Sequence, residues 1–226
     1  MLGPACCSRV PPGEAVVVRP AGQACRLWDM SVRAPATLLV LAGGSSRRMG
    51  SPKALLPLGG TTLVEWLVAR LAPGFDHVLV AARDAGQLPP GLRSRLVCDL
   101  HAGAGPLAGV EAGLAASPHD TVVAVACDMP RVTAALADRL LDAARADPAV
   151  DAAVPRVGGR PEPACAAYRR SAAGPIAAAL DAGRLRAADA LAGLGVRWLD
   201  GEDPLLFANL NTPADYRAFL EEAVPR

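Results

Sequence analysis

Residues 38–60 read LLVLAGGSSRRMGSPKALLPLGG, and their order decides what can be built around them. An apolar run, Leu38 to Leu41, ends in Ala42 and the pair Gly43-Gly44; basic residues ending in Arg48 and a lone Lys53 follow. A rigid strand ending in glycine lets main chain approach phosphate oxygens, and fixed positive charge then neutralises them. The stretch therefore reads as a strand, a turn and a phosphate-binding loop. The bland alternative is a surface turn with incidental arginines.

Three glycine loops compete for it. A Walker loop needs GxxxxGK[ST], but here Ser51 and Pro52 separate Gly50 from Lys53. A dinucleotide loop needs GxGxxG, and Gly43-Gly44 with the next glycine at Gly50 does not fit. The third pattern, LAGG-x3-RMG-x2-K, fits residue by residue: Leu41-Ala42-Gly43-Gly44, then Arg48-Met49-Gly50, then Lys53. It resembles the signature of nucleotidyltransferases.

Outward from this loop, strands and helices alternate. Strands are expected at 37–41, 77–82, 96–98, 121–126, 152–155, 164–168 and 196–199. Thr62 and Glu65 form a capping box for a helix carrying Leu63, Trp66, Leu67 and Leu71. Further helices are expected over 107–116, after Thr133, and after Thr212 with Pro213 in its first position. The alternation implies an α/β fold: a single-domain, mostly parallel open sheet with helices on both faces. Ligands of such sheets bind outside the carboxyl ends of the strands. Gly43, Asp99 and Asp128 each follow a strand there.

The chain has 226 residues, enough for one sizeable core. A net charge of +1 provides no electrostatic footprint for nucleic acid, and 4% aromatic content leaves few base-stacking platforms. No apolar run approaches the roughly 20 residues that span a membrane. Six cysteines include no CxxC pair, so zinc has no site and a reducing cytoplasm is the expected compartment. Cys98, Cys127 and Cys165 read as small buried hydrophobes. Residues 1–35 carry Pro4, Pro11, Pro12, Pro20 and Pro35 without a sustained period. They read as a disordered leader or an upstream extension, with the nucleotidyltransferase domain at 36–226 and Met30 a plausible start.

Asp128 ends a buried strand, where a carboxylate costs free energy unless it is paired or binds a cation. Triphosphates arrive with magnesium, so Asp128 reads as a Mg2+ ligand, against a plain turn acid before Pro130. Asp99 precedes a glycine-rich turn and reads as a ribose or base contact, against an ordinary turn-former. Asn209 and Asn211 flank Leu210, so alternation sets both amides on one side, for an acceptor or a hydrated metal; an Asx turn is the alternative. Arg160 reads either as a phosphate grip or as a solvated hairpin arginine. His77, His101 and His119 receive no role, and Trp66 reads as core.

Taken together, LAGGSSRRMGSPKALLPLGG, CDLHAGAGPLAG, ACDMP, GRPEPACAAY and FANLNTPADY resemble the molybdenum cofactor guanylyltransferase family. The resemblance implies a Rossmann-like fold of the nucleotide-diphospho-sugar transferase type. It implies transfer of GMP from GTP to molybdopterin with Mg2+ and release of pyrophosphate. Carried over by motif, Leu41, Ala42, Gly43, Gly44, Lys53, Asp99 and Asp128 would bind GTP. Asp128 would bind the metal, and Arg48 would face the phosphates with Lys53 and Asp128. Asn209 and Asn211 would lie on the molybdopterin side. Transient contact with cofactor-delivery or acceptor proteins is implied, with no nucleic acid and no membrane. Ala81 and Ala82 stand where relatives can carry an asparagine near the base. The rival readings are a molybdopterin cytidylyltransferase, another small-molecule phosphate guanylyltransferase, and a noncatalytic nucleotide-binding module.

Overall fold

Charge-free runs of Val, Leu and Ala become central strands when both faces are covered, and this chain builds its sheet from them. The computed structural model describes residues 34–43, 52–99, 101, 104–184, 186, 189 and 191–223. Gly44, Arg48 and all but the last two residues of the expected leader lie outside that set.

In chain order the elements are β1 (Ala36–Leu41), β2 (Pro57–Leu58), β3 (Thr61–Thr62) and α1 (Leu63–Leu71). β4 (His77–Ala82), β5 (Leu96–Cys98), α2 (Pro106–Ala116) and β6 (Thr121–Ala126) follow. Then come α3 (Ala134–Arg145), β7 (Ala152–Val157), β8 (Arg160–Pro161) and β9 (Cys165–Arg169). The last three are α4 (Ala173–Asp181), β10 (Val196–Leu199) and α5 (Pro213–Ala223). Every expected strand is present within two residues. The short β2–β3 hairpin and β8 were not expected, being too short to carry a period.

The main sheet runs β10-β7-β9-β6-β1-β4-β5, with β8 paired to β7. Neighbours along that path are parallel except β9, which runs against both β6 and β7; β8 also runs antiparallel to β7. Register brings the carboxyl ends flush: Leu41 lies opposite Ala81 on one side and Ala126 on the other. Ala82 lies opposite Cys98. These ends form the edge at which open sheets of this kind bind ligands, the candidate ligand edge. Among the described residues no helix is long and apolar enough to cross a membrane.

Period two sorts each buried strand between two cores. Leu38 and Val40 of β1 pack with Leu67 of α1 and Leu140 of α3. Leu39 and Leu41 pack on the other face with Leu107 of α2 and Ile176 of α4. Truncating a fully buried leucine such as Leu67 to alanine would cost about 2–5 kcal/mol. The Thr62–Glu65 capping box forms as expected, Thr62 N donating to Glu65 Oε2 at 3.0 Å; an N-cap of this kind contributes about 1 kcal/mol.

The small residues of α2 let it sit hard against β1. A Cβ on Gly113 would come within 2.3 Å of Leu39 Cδ2, and one on Gly109 within 2.9 Å of Leu41 Cδ2. Two expectations need correction. Cys98 is exposed, because β5 is the edge strand with a neighbour on one side; Cys127 and Cys165 are buried as expected. Trp66 is half-buried rather than core, packed edge-on against Phe219 at 5.4 Å and covered by Arg70 at 4.3 Å.

Candidate active site

Lys53 begins a short helical turn, Lys53–Leu55, whose Ala54 is buried beside the α1 face of the sheet. That anchor directs the lysine over the ligand edge. Its Nζ donates to Asp128 Oδ2 at 2.8 Å and to Asn211 Oδ1 at 2.8 Å. Three motifs that lie far apart in sequence meet at one ammonium. Both members of the Lys53–Asp128 pair keep some exposure, with side chains 17% and 23% accessible, so a ligand can reach them.

The main chain holds the same junction. Leu210 N donates to Asp128 O at 2.9 Å, tying the segment before α5 to the loop after β6. Leu210 is buried while Asn209 and Asn211 are exposed, the alternation that the sequence implies. Asp215, in the first turn of α5, orients Asn211: its Oδ2 accepts from Thr212 N at 2.8 Å and from Asn211 N at 3.0 Å. Those N–H bonds, first Thr212 and then Asn211, hold the Asp215 carboxyl below its usual range, and the Lys53 charge adds to them. Asp215 is an ordinary first-turn acid by sequence, and nothing local marked it as the residue that holds Asn211.

Asp99 lies at the other end of the edge. A Cβ on Gly43 would approach its Oδ2 to 3.3 Å, and one on Gly109 its Oδ1 to 3.5 Å. The carboxylate therefore rests over two bare backbone positions, one after β1 and one in α2. Burial raises the Asp99 pKa above the ordinary value, with Arg83 pulling it down. Arg83 carried no sequence signal beyond its place one residue after β4.

The turn after β1 has an unexpected economy. Ala42 N and Gly43 N both donate to Ala81 O, at 2.8 and 3.1 Å, and Leu41 O accepts from Cys127 N at 3.0 Å. These N–H groups are already engaged, so new donors toward a phosphate must come from further along the loop. Leu41 and Ala42 are buried and Gly43 is exposed. Gly44 and Arg48 lie outside the described residues. Arg160 is exposed in β8. His101, which received no role, links two helices: its Nδ1 lies 2.8 Å from Glu111 Oε2 and its Nε2 3.1 Å from Asp181 Oδ1.

Among the described residues no three His, Cys, Asp or Glu gather to hold a metal. The Lys53 ammonium nevertheless occupies a cation position between a carboxylate oxygen and an amide oxygen. One carboxylate plus a neutral oxygen suits a hard cation that draws the rest of its shell from phosphate and water. Asp128 and Asn211 fit magnesium on those terms.

The model of the MobA-like NTP transferase domain matches residues 38–199. A molybdenum cofactor guanylyltransferase of Cereibacter sphaeroides is 39% identical over 181 residues, covering 78% of this chain and 91% of the relative. A probable molybdenum cofactor guanylyltransferase of Pelotomaculum thermopropionicum is 34% identical over 189 residues, covering 80% and 89%. Among solved structures, molybdopterin-guanine dinucleotide biosynthesis protein A from Archaeoglobus fulgidus superposes with a TM-score of 0.70 at 31% identity. That match covers 82% of this chain and 97% of the other.

Proposed function

We propose that this chain, which belongs to the MobA-like NTP transferase family, transfers GMP from GTP to the terminal phosphate of molybdopterin and releases pyrophosphate. The observation that carries the reading is the convergence of Asp128 and Asn211 on Lys53 Nζ, 2.8 Å from each. The names of the relatives support the choice of substrates.

Asp99 and Asp128 follow β5 and β6, strands separated by β4 and β1. At the usual spacing that is about 14 Å, room for a nucleoside along the edge. In this reading base and ribose lie at Asp99, and the phosphates lie at Lys53 and Asp128. Leu41, Ala42 and Gly43 border the nucleoside, while Gly44 and Arg48 belong to the phosphate loop on their sequence pattern. Asn209 and Asn211 face the acceptor. The catalytic domain is taken as residues 36–226, working in the cytoplasm.

An acceptor phosphate oxygen attacks the α-phosphorus. The new O–P bond forms as the bond to the bridging oxygen breaks, and pyrophosphate leaves with that electron pair. The acceptor is already an anion, so no strong general base is needed; alignment and charge stabilisation do most of the catalysis. Lys53 and Arg48 neutralise charge on the leaving group. Magnesium held by Asp128 would supply further neutralisation at the phosphate oxygens when bound.

The test is to supply magnesium, molybdopterin and each nucleoside triphosphate in turn, and to follow pyrophosphate. Asp128→Asn should cut GTP-dependent turnover by about 100-fold or more while the protein stays folded. Normal turnover in that variant overturns the metal assignment. Turnover with CTP alone overturns the base, and none with any triphosphate restores the binding-module reading.

A further inference from the structure

At the β6 end of the edge, main chain fixes the acceptor oxygens, whereas the cation between them rides on a flexible stem. Cys127 N donates to Leu41 O at 3.0 Å, Met129 N to Ala126 O at 3.0 Å, and Leu210 N to Asp128 O at 2.9 Å. Asp128 therefore sits in a turn that is bonded before, at and after it. Asn211 is held through its own N–H, which donates to Asp215 Oδ2 at 3.0 Å. The Lys53 main chain is anchored too, its carbonyl accepting from Leu56 N at 3.1 Å. A long, flexible side chain separates that anchor from the ammonium. Lys53 Nζ is thus the group that can change partners without disturbing a strand or a turn.

An ammonium and a magnesium ion compete for the same oxygens. Nζ lies 2.8 Å from Asp128 Oδ2 and 2.8 Å from Asn211 Oδ1. Magnesium binds oxygen at about 2.1 Å, so on that same Oδ2 it would lie at most about 5 Å from an ammonium that stayed in place. Like charges that close, partly shielded from water, repel strongly. Magnesium also gives up its water reluctantly, and among the described residues no three His, Cys, Asp or Glu gather to compensate. The protein alone offers it one carboxylate whose charge Lys53 already offsets.

A triphosphate changes both sides of that competition. Its oxygens add ligands for the metal, and they give the Lys53 ammonium an anion of higher charge to pair with. Leaving Asp128 costs the fold little. A partly exposed ion pair adds little to stability, and the Leu210–Asp128 main-chain bond already ties the junction.

We propose that Lys53 is a resident cation, holding Asp128 and Asn211 closed to magnesium until a triphosphate draws the ammonium away, so that metal and nucleotide enter together. The proposal rests on the metal role given to Asp128 under Proposed function. Linkage makes the effect reciprocal: a metal that binds better beside the nucleotide tightens the nucleotide by the same factor.

The test uses the full chain without acceptor and takes Mn2+ as the probe, bound metal being read from loss of the free-ion electron paramagnetic resonance signal. Without nucleotide, Mn2+ should bind the wild type weakly. Lys53→Met should tighten it about 5- to 150-fold, the ordinary range of coupling between sites. Lys53→Arg, which keeps the charge, should bind as weakly as the wild type, and adding Asp128→Asn to Lys53→Met should remove the gain. Mn2+ should raise GTP affinity, measured by equilibrium dialysis, more in the wild type than in Asp128→Asn.

Equal Mn2+ affinity in the wild type and Lys53→Met overturns the proposal, and so does a gain that survives Asp128→Asn. A sharp fall in Tm for Lys53→Met also overturns it, by making the pair a strut of the fold. Failure of the reading beneath it looks different: GTP affinity in Mn2+ that ignores Asp128→Asn removes the metal from Asp128 altogether, and the proposal with it.

Discussion

At the β5 end of the ligand edge Asp99 lies against backbone; at the β6 end Asp128 lies against charge. The Asp99 end is shaped by missing side chains, Gly43 and Gly109 leaving the gap that its carboxylate fills. The Asp128 end is shaped by long-range polar contacts, with Lys53 reaching 75 and 158 residues along the chain to its two partners. Close packing discriminates by shape, as a base and ribose require. Converging polar groups discriminate by charge, as phosphates require. On the proposed reading, one edge of one sheet would recognise the two ends of a nucleotide by separate physics.

Substitutions at the two ends should therefore separate. Lys53→Met should have the largest effect, lowering kcat by about 10²–10³-fold while a thermal melt shows little change. A comparable loss in KM for GTP with kcat intact would place Lys53 in the packing-built half and break the contrast. Gly113→Ala acts under the Asp99 half through packing. Alanine gains about 1 kcal/mol in a helix, but its Cβ would meet Leu39 at 2.3, 2.8 and 3.0 Å, and overpacking costs about 1–3 kcal/mol. The clash should win, lowering Tm by a few degrees with kcat per folded molecule preserved. A rise in Tm would mean that α2 shifts freely on β1.

The smallest effect concerns His101, two residues after Asp99. Hydrogen bonds that its ring donates to Asp181 and then to Glu111 raise its pKa above the ordinary value of 6.5. The proton is thus held more tightly in the folded chain. The stability it contributes is fully present below about pH 6.5 and is lost as pH rises through the raised folded value. His101→Gln should lower Tm on the acid side of that window and match the wild type on the alkaline side. Equal differences at both ends would remove charge from this contact.

Much of the fold was legible because its signals are local. Each strand from β1 to β10, apart from the short pieces β2, β3 and β8, showed as an apolar run. The caps Thr62, Thr133 and Thr212 are all used. Asp128 and Lys53 stood out by type and place, as a strand-end acid and a loop lysine, and the structure brings them together. The contacts of Asp215 and His101 were not legible, since they depend on what faces them. Cys98 misled because an apolar run looks the same in an edge strand and in a central one.

By itself the sequence determined the succession of strands and helices and the family to which the chain belongs. Periodicity, capping and motif spacing are written within a few neighbouring residues, so they survive without coordinates. Only the tertiary structure decided that β9 runs antiparallel, that Lys53 joins Asp128 to Asn211, and that His101 links Glu111 to Asp181. Those facts depend on strand order and register, which bring distant residues together through the packing of the whole sheet and through no local preference of their own.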